Sequence, residues 1–329
     1  MLMRPNRSTL VRLLIGVTIL ALVIWYSKPV DLWSIITGAA VGWLVLAIAV
    51  HIVATSVTAL RMAYLAGRLD LFVPMFKANL GGMLLADVTP GRAGYFVTPV
   101  IVNRECPEMK TGHILNVMFF GQVFDFLLRA VLLVTAMFTI FYALGVSQNL
   151  YLYAVLSLGL VVVLVIGFAV LAFGKIPRFV VPLVERVQFL SKLYAEYSKY
   201  IGSTGYTAKK SVVAFLITIL GWLITALRWI IVGQALGLDL PIVWYLFLFP
   251  ALTAVSFIPV SLAGLGIVEG GFALVFSVLG RPIEDGLAFA LVDRTIALIG
   301  DMFGLPFATK LGLKAKPVTS PSETGDVRS

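Results

Sequence analysis

The sequence predicts an all-α, polytopic integral membrane protein: about six spanning helices plus two re-entrant, broken-helix hairpins arranged as an inverted repeat. Three observations lead there. Hydrophobic residues make up 60% of the 329-residue chain and charged residues only 12%, half the roughly 25% charge of soluble domains. With a mean hydropathy of +1.02, the surface would not stay dispersed in water, so the solvent for most of the chain is lipid. The second observation is a series of continuous apolar runs, each near the roughly 20 helical residues that cross a hydrocarbon core of about 30 Å. Barrel strands would instead read as alternating segments of about ten residues. The third is the placement of Lys and Arg, at Arg4, Arg7 and Arg12, through 174–210, and at Lys310, Lys314 and Lys316, where cytoplasmic flanks of membrane helices carry positive charge.

The elements follow in order. The first span, 10–26, contains the apolar run Leu13–Trp25, which follows three arginines as a signal peptide would, but no small-x-small cleavage pattern precedes Lys28–Pro29, so it reads as an uncleaved first helix. Further spans are expected at 37–60, 112–143, 150–173, 211–236 and 286–308. Two more apolar stretches are punctured. Residues 71–103 contain Gly81-Gly82, Thr89-Pro90-Gly91-Arg92-Ala93-Gly94 and Thr98-Pro99. Residues 242–280 contain Phe249-Pro250, Ile258-Pro259, Ala263-Gly264-Leu265-Gly266 and Gly270-Gly271. Proline removes a backbone donor and glycine loosens a helix. In lipid, freed backbone groups survive only beside protein or a water-filled cavity, which predicts re-entrant helices packed inside the bundle. Apolar and charged residues mix at helical spacing over 178–202, as in a helix lying on the inner surface. Residues 1–313 form one transmembrane domain, with half one at 37–143 and half two at 207–309. Residues 314–329, rich in Pro, Ser, Thr and charge, read as a disordered cytoplasmic tail.

Charge counting orients these pieces. If 71–103 spanned fully, the basic segment 174–210 would fall outside. If it enters and leaves on the inner side, that segment stays inside, as do both termini, and Ser147–Asn149 and Asp239 fall outside. The same logic makes 242–280 a hairpin from the outer side. The order of features repeats accordingly. Ala59-Leu60-Arg61 recurs as Ala226-Leu227-Arg228, each followed by a Pro/Gly break, at Pro90–Gly94 and Pro259–Gly266. A short polar link comes next (Arg104, Pro107, Glu108; Arg281, Pro282, Glu284), then a helix with internal polar residues, Gln122 and Asp125 or Asp293 and Arg294. Paired hairpins of opposite topology are used by many secondary transporters, with the site near the midplane.

Several function classes fall away. The net charge of +9 follows helix flanks, so nucleic acid is not an expected partner. Cys106 is the one cysteine and rules out an intramolecular disulfide, while His51 and His113 are too few for a histidine metal site. No P-loop, Rossmann glycine pattern, HExxH or nucleophile elbow occurs, and no cofactor is expected. Ionisable residues inside membrane segments cost roughly 2.5–3.5 kcal/mol each, so each needs a reason. Arg92 and Glu269 lie at Gly/Pro breaks, and they are expected to line one polar cavity that handles a lipid headgroup. Asp87, Asp125, Asp293, Arg294, Arg61 and Arg228 are the other candidate substrate contacts. Asp301 and Arg129 read instead as structural pairs or snorkelling side chains. Arginine suits phosphate because its planar fork donates two parallel hydrogen bonds. Glu269 reads either as a proton carrier or as the salt-bridge partner of Arg294.

Phe257-Ile258-Pro259-Val260-Ser261-Leu262-Ala263-Gly264-Leu265-Gly266-Ile267-Val268-Glu269 resembles the Pro–small–Gly–x–Gly–x–x–Glu segment of the lysylphosphatidylglycerol synthase transmembrane (flippase-like) family. Asp293-Arg294 resembles that family's helix carrying Arg near the second hairpin. Leu60-Arg61, Thr89–Gly94 and Gln122-Val123-Phe124-Asp125 match its order in the first half. There the family often has Glu-Arg-x-x-Asp and this chain has Gly121-Gln122-Val123-Phe124-Asp125. The resemblance covers roughly residues 10–312. Members fused to a soluble aminoacyltransferase domain flip the lipid which that domain makes. No such domain follows here, so the resemblance implies a stand-alone, non-enzymatic translocase of a phosphate-bearing or glycosylated lipid in the cell membrane. Its transport would be passive or coupled to protons or the membrane potential, and a homo-oligomer or a lipid-synthesis partner is compatible with it. The alternatives are an intramembrane lipid-modifying enzyme using Asp87, Asp125, Asp293 and Asp301, and a non-transporting scaffold for a lipid-synthesis or glycosylation complex.

Overall fold

The computed structural model describes residues 7–27, 29–89, 92–143, 207–248 and 264–309, with 159, 252 and 261. The expected span 150–173, the surface segment 178–202, the prolines at 90, 250 and 259, and the tail 314–329 lie outside the described residues. Among the described residues the secondary structure is helical throughout. Helix α1 (Arg7–Tyr26) is followed by α2 (Pro29–Thr37), and the two axes turn through 97°. Pro29 opens α2, where its missing N–H is no loss, and Asp31 sits in its first turn.

Helix α3 (Val41–Ala66) has 26 residues, about 39 Å at 1.5 Å per residue. It ends where Gly67 takes φ 73°. The Arg68 N–H then reaches back to the Ala63 carbonyl at 3.1 Å, a glycine-terminated C-cap. Helix α7 (Ala208–Ala235) packs along α3, and these two form the spine of the bundle. Outward, α7 exposes Leu216, Leu220, Leu223 and Leu227, a leucine stripe at helical spacing that suits lipid. Inward it buries Thr218, Ala226, Arg228 and Trp229.

The stretch 71–103 folds back on itself as expected. A 3-10 turn leads into α4 (Phe72–Asp87), and a second 3-10 turn (Ala93–Val97) leads into α5 (Thr98–Glu105). The arms run antiparallel. Lys77 pairs with Glu105 at 3.5 Å, and a Cβ on Gly82 would fall 1.9 Å from the Thr98 hydroxyl. At the tip, a Cβ on Gly94 would lie 2.2 Å from the Leu85 carbonyl oxygen. Only glycine permits that approach, and the Gly94 N–H is held by the Thr89 hydroxyl at 2.7 Å. The first arm is longer than expected, because Leu69–Asp87 is long and apolar enough to cross a membrane alone.

Helix α6 (Thr111–Ala143) follows the first hairpin. In the second half, a π-helical arm (Trp244–Leu248) packs its first ring edge-on against Phe276 of α8 (Ile267–Val278), at 5.5 Å between centroids. At 12 residues, about 18 Å, α8 is too short to cross. Gly266 precedes it at φ 80°, and a Cβ there would strike the Gly16 carbonyl oxygen at 2.6 Å. Helix α1 therefore lies directly on this break. Helix α9 (Ile283–Met302) returns along α8, and a short α10 (Leu305–Thr309) ends the described chain.

Four described helices are long and apolar enough to cross, Val41–Ala66, Leu69–Asp87, Thr111–Ala136 and Lys209–Ala235, and the bent α1–α2 pair makes a fifth. Helix α9, expected as a span over 286–308, falls outside that set. It carries Glu284, Asp285, Asp293, Arg294 and Asp301, too many charges for that set, and it packs against α8, α3, α2 and α4.

Candidate functional site

The helix spine, the first hairpin, α6 and α9 enclose a cavity of about 530 Å³. Seven of the eight expected contact residues reach it: Arg61, Asp87, Arg92, Asp125, Arg228, Asp293 and Arg294. Arg129, Asp301 and His51 also reach it. Side chains from five helices and one helix break thus converge, although up to 250 residues of chain separate them.

Four arginine–carboxylate pairs organise the walls. Arg61, on α3, grips Asp125, on α6, through two parallel bonds of 2.7 Å, and gives a third of 2.8 Å to the Thr218 hydroxyl. A bidentate fork of this kind is among the strongest side-chain contacts. Arg228, on α7, reaches Asp293, on α9, at 3.1 and 3.3 Å. The partners are 64 residues apart in the first pair and 65 in the second. Arg92 reaches Asp87 at 3.2 Å, and Arg294 reaches Glu269 at 2.5 Å.

The pairs differ in access. The side chains of Arg61 and Arg228 are 5% and 7% exposed, those of Arg92 and Arg294 are 22% and 29% exposed. The first two guanidinium groups are locked between helices. The second two present an edge to the cavity. Arg92 is held there by its backbone, since at φ 56° it is the one non-glycine residue with positive φ among the described residues. Such a conformation costs of order 1–3 kcal/mol and persists where surroundings enforce it.

Glu269 corrects the sequence-based picture. It was expected beside Arg92 on one cavity wall, but it is wholly buried and lies behind Arg294. The cause is local. The break before α8 leaves backbone N–H groups without helical partners, and the Glu269 carboxylate turns back to accept from the Gly266 N–H at 2.7 Å. Its other oxygen takes Arg294, so both oxygens are engaged. Of the two readings open for this residue, the structure shows the Arg294 pair.

Asp301 pairs as the structural reading of its sequence position expected, with His51 Nε2 at 3.0 Å. Sequence reasoning missed His51, Asn79 and Tyr95. Asn79 donates to the Thr55 carbonyl at 3.3 Å and accepts from the Tyr95 hydroxyl at 3.1 Å, tying the first hairpin to the spine. The available signal was a polar side chain inside an apolar run, at His51 and at Asn79. Among the described residues no cluster of His, Cys, Asp and Glu could hold a metal ion.

A family model described as the lysylphosphatidylglycerol synthase TM region matches residues 13–303 of this chain. No curated protein and no solved structure matches it.

Proposed function

This chain belongs to the lysylphosphatidylglycerol synthase transmembrane family, and from that premise we propose that it moves a lipid with a phosphate-bearing headgroup across the membrane. The observation that carries the reading is the cavity itself, a charged chamber inside an apolar bundle, with two partly accessible guanidinium edges, Arg92 and Arg294, on its wall. A phosphate entering the chamber finds two planar forks already oriented by carboxylates. It can take one bond from each while the buried pairs hold the helices. The acyl chains need no aqueous path, because the outer face of the bundle is apolar.

The near-equal spacing of Arg61–Asp125 and Arg228–Asp293 supports an inverted repeat, each half bracing its hairpin with one pair. Of the four carboxylates a lipid-modifying enzyme would use, Asp125 and Asp293 are engaged by arginines and poorly placed to activate water, which favours a carrier. We place the chain in the cell membrane with both termini cytoplasmic, on the distribution of Lys and Arg.

The test is reconstitution in liposomes with a leaflet-specific lipid probe. Arg92→Lys and Arg294→Lys keep the charge and lose the fork, so flux should fall at least tenfold while the melting temperature stays near that of the native protein. Full flux in both variants at matched folding would overturn the headgroup assignment and make these charges structural pairs, whereas no flux by the native protein would favour a scaffold. Chemical conversion of the probe would favour an enzyme.

A further inference from the structure

At the corner of the cavity where α3, α4 and α9 meet, two carboxyl groups face each other. Asp87, at the end of α4, and Asp301, near the end of α9, lie within hydrogen-bonding reach. Each has one oxygen engaged. Asp87 Oδ1 takes Arg92 at 3.2 Å, and Asp301 Oδ1 takes His51 Nε2 at 3.0 Å. The other oxygen of each, Oδ2, is buried and receives no donor among the described residues. Asp301 is 1% exposed, while the Asp87 side chain is 19% exposed and lines the cavity.

The corner is built, not incidental. A Cβ on Gly300 would stand 2.3 Å from His51 Cδ2, so the missing side chain seats the imidazole on the backbone of α9, beside Asp301. The charged or titratable groups facing the two acids are His51 from α3, Arg92 from the hairpin break and Arg294 from α9, while Arg129 of α6 lines the same cavity. Two ionised carboxylates would set two buried acceptor oxygens against each other with nothing between. One proton turns that repulsion into an O–H···O⁻ bond that satisfies both oxygens. His51 Nε2 holds the other oxygen of Asp301.

We propose that Asp87 and Asp301 share one exchangeable proton, forming a proton-binding site in the cavity wall beside the Arg92 edge. The proton comes from water in the cavity through the partly exposed Asp87, and leaves by the same route. Resting on the transport reading above, this gives the carrier a coupling element. A headgroup that draws Arg92 away from Asp87 removes the nearer of the cations neighbouring the pair and tightens its hold on the proton.

Infrared difference spectroscopy on the purified full-length protein in nanodiscs tests the site without measuring transport. At neutral pH the native protein should show the carbonyl stretch of a protonated carboxylic acid, shifted in D2O. The band should vanish in Asp87→Asn and in Asp301→Asn, because neither remaining acid then has a second carboxylate with which to share the proton. It should persist in Glu284→Gln, which removes another buried carboxyl group. Absence of the band in the native protein, or its survival in Asp87→Asn, would overturn the proposal. Asp301 is the more deeply buried, so if Asp301→Asn does not fold, Asp87→Asn alone decides. Absent lipid flux with the band present would refute the transport reading and leave the proton site standing.

Discussion

Replacing Glu269 by Gln separates a structural role from a contact role. The native carboxylate accepts twice, from the Gly266 N–H at 2.7 Å and from Arg294 Nε at 2.5 Å, at zero exposure. A glutamine amide offers one carbonyl oxygen. Its NH2 group must therefore face either the Gly266 N–H or the Arg294 guanidinium, donor against donor. Removing one partner of a buried ion pair costs about 3–5 kcal/mol, and a lost hydrogen bond to a charged group about 1.5–3 kcal/mol. Arg294 keeps 29% of its side chain open to the polar cavity, so hydration recovers part of the loss. The expected destabilisation is about 2–3 kcal/mol, read from the unfolding midpoint in a denaturing detergent series. Arg294→Gln removes the other partner, and the double variant should recover at least about 1.5 kcal/mol relative to the sum of the singles. Flux should stay low in the double variant, since the fork is gone. Additive stabilities, or a Glu269→Gln protein as stable as the native one, would refute the pairing logic.

Three further outcomes are expected. Gly94→Ala places a methyl group 2.2 Å from the Leu85 carbonyl oxygen, so it should open the first hairpin and cost at least about 2 kcal/mol, seen as faster proteolysis between α4 and α5. In a Cys106→Ala background, Arg104→Cys and Arg281→Cys should be labelled from opposite sides of the membrane by an impermeant maleimide. Labelling from one side would sink the inverted arrangement. Burial, followed by the charges of Glu108 and Glu105, pushes the native Cys106 thiol up. A raised thiol holds less thiolate at neutral pH, so its maleimide rate should be slow there and keep climbing through the ordinary thiol range. A plateau below that range would contradict the geometry.

The fold class was legible because lipid solvent leaves a compositional mark over hundreds of residues. The first hairpin was legible because Thr89–Gly94 gathers glycine, a hydroxyl and an arginine where a helix cannot continue. Convergence of the charges was legible in kind, since each intramembrane charge demands a partner. The partners themselves were not. Arg61 with Asp125 requires knowing that α3 and α6 face one another across 64 residues. His51 with Asp301 spans 250, and a single histidine in an apolar run carries no sign of what it meets. Glu269 misled because its position in the sequence shows its depth but not its direction. The demand of one backbone N–H, at Gly266, turned it away from the cavity. The charges of α9 were visible in the sequence, yet they did not reveal which helices it packs against.

The seat of α1 on the second break has a consequence for biosynthesis. Gly16 meets Gly266 across roughly 250 residues of chain. At about 5–20 residues per second of synthesis, α1 leaves the ribosome on the order of 10–50 s before the glycine it must cover. During that interval it waits in the bilayer as a lone hydrophobic helix, its contact face turned to acyl chains. Closure of the second hairpin is then a late docking event onto a helix already inserted. A protein trapped before that event would have its first hairpin assembled and the second still open to the quality-control proteases of the membrane.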